Sequence, residues 1–198
     1  GSGTFGQSGA TTVDNTLTVT AGTLSTGAND LSVTAAATVD DTLDASGQGG
    51  TESLSVGTNL GGTGSASTGG GAVTVGGNVS VATFTGGGGN IDVAGDVTSG
   101  TSFTASSGQT NVAGSVTPSG FSANGGTLVI DGGGGDTVDG FTFNNLTINQ
   151  GAGGNTVTSG GGWTVNGTLT LTQGTWNSGS YIHTIAGGFD SSNANFTF

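Results

Sequence analysis

The chain has 198 residues, 45 of them glycine, and 12 acidic residues with no Lys or Arg, a formal charge of −12. That balance excludes nucleic acid as a partner, because such affinity comes from cations on phosphate, and it excludes an anionic membrane surface. Without Cys there are no disulfides, thiolate metal sites or cysteine nucleophiles.

The hydrophobic share of 31% is too small for a wide globular core but can fill a thin one drawn out along an axis. No apolar run nears the roughly 18 residues of a membrane span, so no membrane insertion is expected. Short alternating runs such as Leu17-Thr18-Val19, Leu31-Ser32-Val33 and Leu54-Ser55-Val56 speak for order rather than a flexible Gly/Ser linker. The start at Gly1 rather than Met reads as a processed product, a fragment of a longer secreted precursor, or a linker scar.

Taken in chain order, one unit recurs: an aliphatic residue, three small or polar residues, another aliphatic residue. It opens with Val13-Asp-Asn-Thr-Leu17. After an irregular interval it runs through Val39-Asp-Asp-Thr-Leu43, Val56-Gly-Thr-Asn-Leu60, Val75-Gly-Gly-Asn-Val79, Val93-Ala-Gly-Asp-Val97 and Val112-Ala-Gly-Ser-Val116. Less regular units start at Ile130 and Ile148, and Val165-Asn-Gly-Thr-Leu169 closes the series. The starting positions from Val39 to Val165 are 17 to 19 residues apart. Aromatic residues keep the same period at Phe84, Phe103, Phe121 and Phe141, with Trp176 as the last member. Glycine keeps it at Gly77, Gly95, Gly114, Gly132 and Gly167.

Short β runs separated by Gly, Asn and Ser turns at this period predict an all-β fold, a parallel β-solenoid (β-helix) with coils of about 18–19 residues. Each coil holds two or three short strands. Aliphatic and Phe residues point inward in ladders, and Asn and Ser at the corners bond from coil to coil. The glycine file marks places where the chain needs φ > 0 or passes close to its neighbour. Helices are not expected, because no segment has a 3.6-residue apolar period.

Residues 1–140 read as the repeat array. Residues 141–198 read as aromatic-richer coils that continue it, with longer strands at Phe141–Ile148 and Trp163–Leu171. The end, Asn195-Phe196-Thr197-Phe198, is a candidate cap or docking strand, with Phe196 and Phe198 as candidate self-association residues through β-augmentation.

Asn145-Leu-Thr-Ile148, Trp163-Thr-Val-Asn-Gly-Thr-Leu-Thr-Leu171 and Gly174-Thr-Trp176 resemble the repeats of large bacterial secreted surface proteins. These are the filamentous-haemagglutinin-like and autotransporter-passenger-like adhesins. The resemblance covers about residues 70–185 and transfers no functional residue. It implies a right-handed parallel β-solenoid at the cell surface or outside the cell.

Catalysis is not expected. His183 is the only His and sits in an alternating run, expected on a strand surface. No Gly-x-Ser-x-Gly elbow lies between a strand and a helix. Solenoid enzymes of acidic polysaccharides need a cation for their substrate, and there is none here. Asp40/Asp41 and Asp92/Asp96 are the paired carboxylates a glycosidase would need, but corner positions explain them. No cofactor is required.

Calcium is a candidate ligand, because hard cations favour oxygen donors. Gly132–Asp139 and Gly86–Asp92 partly match a calcium-binding β-roll repeat, whose nine-residue tandem period is absent, and no ligand set can be assigned. Asn78, Asn145, Asn166 and Asn195 head Asn-x-Ser/Thr sequons. Thr168, Thr170 and Thr172 form Thr-x-Thr pairs of the kind an ice-binding face uses, but the pair does not recur at one position of each coil.

The expectation is a secreted structural subunit of an extracellular filament, sheath or surface layer, with itself as partner through open solenoid ends. The alternative is an adhesin stalk that binds cell-surface glycans through Trp163, Trp176 and Tyr181.

Overall fold

The computed structural model describes residues 3–151 and 155–191, together with the backbone of 196–197. Among them every regular element is a strand, and no helix is long and apolar enough to cross a membrane. The chain forms a parallel β-solenoid in which each strand pairs with its counterpart one coil later.

Sheet 1 stacks Thr4–Gly6, Thr23–Ser25, Thr42–Ala45, Ser65–Thr68, Thr83–Thr85, Ser102–Thr104 and Phe121–Ser122. Sheet 2 stacks Thr11–Val13, Leu31–Val33, Ser53–Val56, Ala72–Val75, Ile91–Val93, Gln109–Val112, Thr127–Ile130 and Asn145–Asn149, then the first half of Thr168–Asn177 and finally Gly188–Asp190. Sheet 3 begins with Leu17–Val19, Ala37–Val39 and Leu60–Gly61 and goes on through single bridges at Val79, Val97, Val116 and Val138. Sheet 2 runs through about ten coils without a break, and its strands Asn145–Asn149, Thr168–Asn177 and Gly188–Asp190 belong to the same stack. At about 4.8 Å per coil the rod is on the order of 50 Å long.

The register explains why the repeat looks more even in sequence than it is. The inward file of sheet 2 is Val13, Val33, Val56, Val75, Val93, Val112, Ile130, Ile148 and Leu171. Val39 and Val165 are not in it. Val39 aligns with Val19 in sheet 3, and Val165 aligns with Phe143 and Ile185. The same five-residue unit therefore turns more than one corner of the coil.

From Val33 to Val56 and from Ile148 to Leu171 the coil takes 23 residues, and in the first of these the segment 46–52 lies between strands Thr42–Ala45 and Ser53–Val56. The aromatic residues divide between sheets in the same way. Phe84, Phe103 and Phe121 are in register, whereas Trp176 aligns with Val157 in the late part of sheet 3.

Alternation places these files inside, and the narrow coil lets them bury one another. Leu43, Phe84 and Phe103 of sheet 1, Leu54, Ile91 and Leu146 of sheet 2, and Val79, Val97 and Val116 of sheet 3 are all fully buried. Each such side chain contributes about 1.5–3 kcal/mol. The rings of Phe84 and Phe103 stack at 5.0 Å and 13°, and those of Phe103 and Phe121 at 6.3 Å and 16°.

With no Lys or Arg, the corner carboxylates and amides take backbone N–H donors from the next coil. Asn59 Oδ1 accepts from Asn78 N, Asn78 Oδ1 from Asp96 N and Asp96 Oδ1 from Ser115 N, each at 2.8 Å. Ser115 Oγ accepts from Thr137 N at 3.0 Å. The glycine file serves this ladder. A Cβ on Gly77, Gly95 or Gly114 would run into the Oδ1 of Asn59, Asn78 or Asp96, and one on Gly167 into that of Asn145. None of these glycines has a positive φ, so close approach and not turn geometry selects them.

Candidate functional site at the open ends

The sheet 1 inward file runs Phe5, Leu24, Leu43, Ala66, Phe84, Phe103 and Phe121. Its middle members are fully buried, yet Phe5 is 69% exposed. The cause is position: no described coil precedes it. Strands Thr4–Gly6, Thr11–Val13 and Leu17–Val19 pair on one side only. Behind them lies an open cleft of about 350 Å³ lined by Phe5, Leu17, Val19, Leu24 and Leu31.

The other end repeats this. Phe189 aligns with buried Leu169 but is 46% exposed, and Ile182 and Tyr181 beside it are 88% and 47% exposed. Among the described residues, the exposed large hydrophobic side chains are these four, and all lie in the first or the last coils. Phe196–Thr197 forms a strand that pairs in parallel with Gly174–Thr175 of its own chain. Phe198 lies outside the described residues.

The two tryptophans are core and not a sugar platform. Trp163 and Trp176 stack at 5.1 Å and 6° and are 1% and 6% exposed. Their Nε1–H groups donate to Val138 O at 3.1 Å and to Ser159 Oγ at 2.9 Å. His183 also departs from its expected strand surface. Half-buried, it sets its ring edge-on against both tryptophans. Nδ1 accepts from Trp163 N at 3.1 Å, which makes Nε2 the protonated nitrogen facing Ser178 O at 3.0 Å. Both ring nitrogens thus serve the fold.

The segments considered for calcium do not converge. Asp136 points inward in register with Val157 and Trp176, and its Oδ2 accepts from Gln150 Nε2 at 2.7 Å. Asp139 lies at the following corner. Asp92 is outward on sheet 2, while Asn90 Oδ1 accepts from Gln109 N at 3.2 Å. Among the described residues no three His, Asp or Glu side chains come together at a metal site.

Burial raises the Asp136 carboxyl above the ordinary value, against the pull of the Gln150 amide, and the Asp96 charge adds to the rise. Burial also raises Asp131, with the charge of Asp92 adding to it. Asp44 is held low by the Ser46 hydroxyl and N–H, and Glu52 by the Thr51 hydroxyl and the Gly49 N–H.

Of the sequon residues, Asn78 and Asn145 use Oδ1 to hold the next coil, Asn166 is exposed, and Asn195 lies outside the described residues. Comparison with protein families, with curated proteins and with solved structures gave no match.

Proposed function

We propose that the chain is a non-catalytic structural rod of an extracellular filament, sheath or surface layer, which associates end to end with further copies of itself. The observation that carries this reading is the confinement of exposed large apolar side chains to the two ends of the described solenoid. A last coil with Phe189 and Ile182 would meet the first coil of the next copy, covering Phe5 and its cleft and supplying partners to the open strand edges. Such a head-to-tail contact does not close on itself and yields an open filament.

The extracellular setting rests on two supports. A chain without Lys or Arg offers no site to trypsin-like proteases. The C-terminal repeats also resemble those of secreted surface proteins. A glycan-binding stalk is less well supported, since both tryptophans are buried.

Negative-stain electron microscopy of the full chain, with calcium and with chelator, tests the proposal. Long uniform filaments are expected, and Phe5→Asp should leave isolated rods on the order of 50 Å. Isolated rods from the unaltered chain in both conditions would overturn the reading. Filaments only with calcium would keep the rod but make a cation part of its junction.

A further inference from the structure

The outward positions of sheet 1 form two files that the linear sequence conceals. One reads Thr4, Thr23, Thr42, Ser65, Thr83 and Ser102, a hydroxyl in each of six successive coils. The other, two residues along each strand, reads Gly6, Ser25, Asp44, Ser67, Thr85, Thr104 and Ser122. The outward file of sheet 2 also begins with hydroxyls, Thr12, Ser32, Ser55 and Thr74, but Asp92, Asn111 and Val129 then interrupt it before Thr147. The Thr-x-Thr pairs of the linear reading, at Thr168, Thr170 and Thr172, lie on a strand of sheet 2. The array on sheet 1 appears only once the coils are in register.

From this face we infer that the solenoid binds ice. The hydroxyls repeat at about 4.8 Å from coil to coil and about 6.6 Å along each strand. These repeats are close to those of water oxygens on prism faces of hexagonal ice. The array is rigid, because Leu43, Phe84 and Phe103 anchor its strands from within, and threonine is stiff at χ1.

Charge is kept off the face, with Asp44 the one carboxylate in either file. Charged groups hold water in their own shells, whereas hydroxyls can join a shared lattice. Thr42 Oγ1 donates to Asp41 and Ser67 Oγ to Asp44, whereas the hydroxyls of Thr83, Thr85, Ser102 and Thr104 are not spent on bonds within the protein. Each bound water contributes little, so recognition requires many sites in fixed register. A crystalline polysaccharide is a poorer occupant, because sugar rings stack on aromatics. Every aromatic ring on these strands occupies an inward position.

Ice-affinity partitioning tests this inference: an ice front is grown slowly through a dilute solution of the full chain. The Phe5→Asp background keeps filament formation out of the measurement. The parent should enter the ice. Thr85→Lys should be excluded from it, and Asn111→Lys, outward on sheet 2 between Asp92 and Val129, should partition like the parent, with all three giving the same circular dichroism spectrum. Exclusion of the parent, or equal loss in both lysine variants, overturns the inference. Sedimentation with insoluble cellulose or chitin and exclusion from ice would overturn it in favour of a polysaccharide face.

Discussion

Gly95 and Asn78 show how tightly single residues are specified. A Cβ on Gly95 would meet Asn78 Oδ1 and also the backbone, Gly77 C at 2.8 Å and Asn78 N at 3.0 Å. Backbone cannot swing aside without opening the ladder between coils, so Gly95→Ala should cost about 1–3 kcal/mol in urea unfolding. Gly100 is the control. Nothing lies within 4 Å of its Cβ position and its φ is not positive, so Gly100→Ala should stay within about 0.5 kcal/mol of the parent.

Asp136 is the opposite case, a polar residue in an apolar file. Its carboxyl is raised chiefly by burial, so the folded chain keeps this proton to higher pH than the unfolded chain does. The stability this gives is complete below the unfolded carboxylate range and is lost as pH rises from there through the raised folded value. Asn in its place carries no charge at any pH. Its amide can also reach toward Gln150 Oε1, which is buried and lacks a partner. Asp136→Asn should therefore raise Tm at neutral pH, with a gain that shrinks near pH 3, below the usual carboxylate range of about 4. An equal shift at both pH values would refute this account.

The strand is the next scale, and each strand here is too short to be stable alone. Its stability comes from the two neighbours it pairs with and from the file it joins. Phe103 lies between Phe84 and Phe121, and Phe103→Ala should cost about 3–5 kcal/mol through the cavity it leaves. Because each coil of a solenoid touches only its neighbours, that loss should stay local. Hydrogen exchange should show lost protection in Thr83–Thr85 and Phe121–Ser122 and unchanged protection in Leu31–Val33. Uniform loss along the rod would mean that the coils unfold as one unit.

Strand pairing also separates units that look alike in the sequence. Val39-Asp-Asp-Thr-Leu43 and Val56-Gly-Thr-Asn-Leu60 look alike, yet the first leads from sheet 3 to sheet 1 and the second from sheet 2 to sheet 3. A tight corner asks for the same small residues whichever sheets it joins. Only strand pairing tells the corners apart.

At the scale of the whole molecule, two kinds of surface result. The ends expose Phe5, Ile182 and Phe189, and the long faces expose hydroxyls, amides and carboxylates. The absence of basic residues means that carboxylates such as Asp30, Asp40 and Asp41 are answered by backbone N–H groups of neighbouring coils instead of by ion pairs. The rod is thus held along its axis by main-chain and corner hydrogen bonds and across it by a thin apolar core.

The sequence by itself determined the all-β solenoid, its period and the identity of most inward residues. Alternation with a period of two, punctuated by glycine, is a local property written into each short segment. Only the tertiary structure decided the register: that Val13 and not Val39 shares a file with Val56, that Trp176 stacks on Trp163, and that His183 closes over both. It also decided which threonines line up on sheet 1. The coils from Val33 to Val56 and from Ile148 to Leu171 are longer, at 23 residues, than their neighbours, and a file of side chains is defined by hydrogen bonds between coils, which no count along the chain contains.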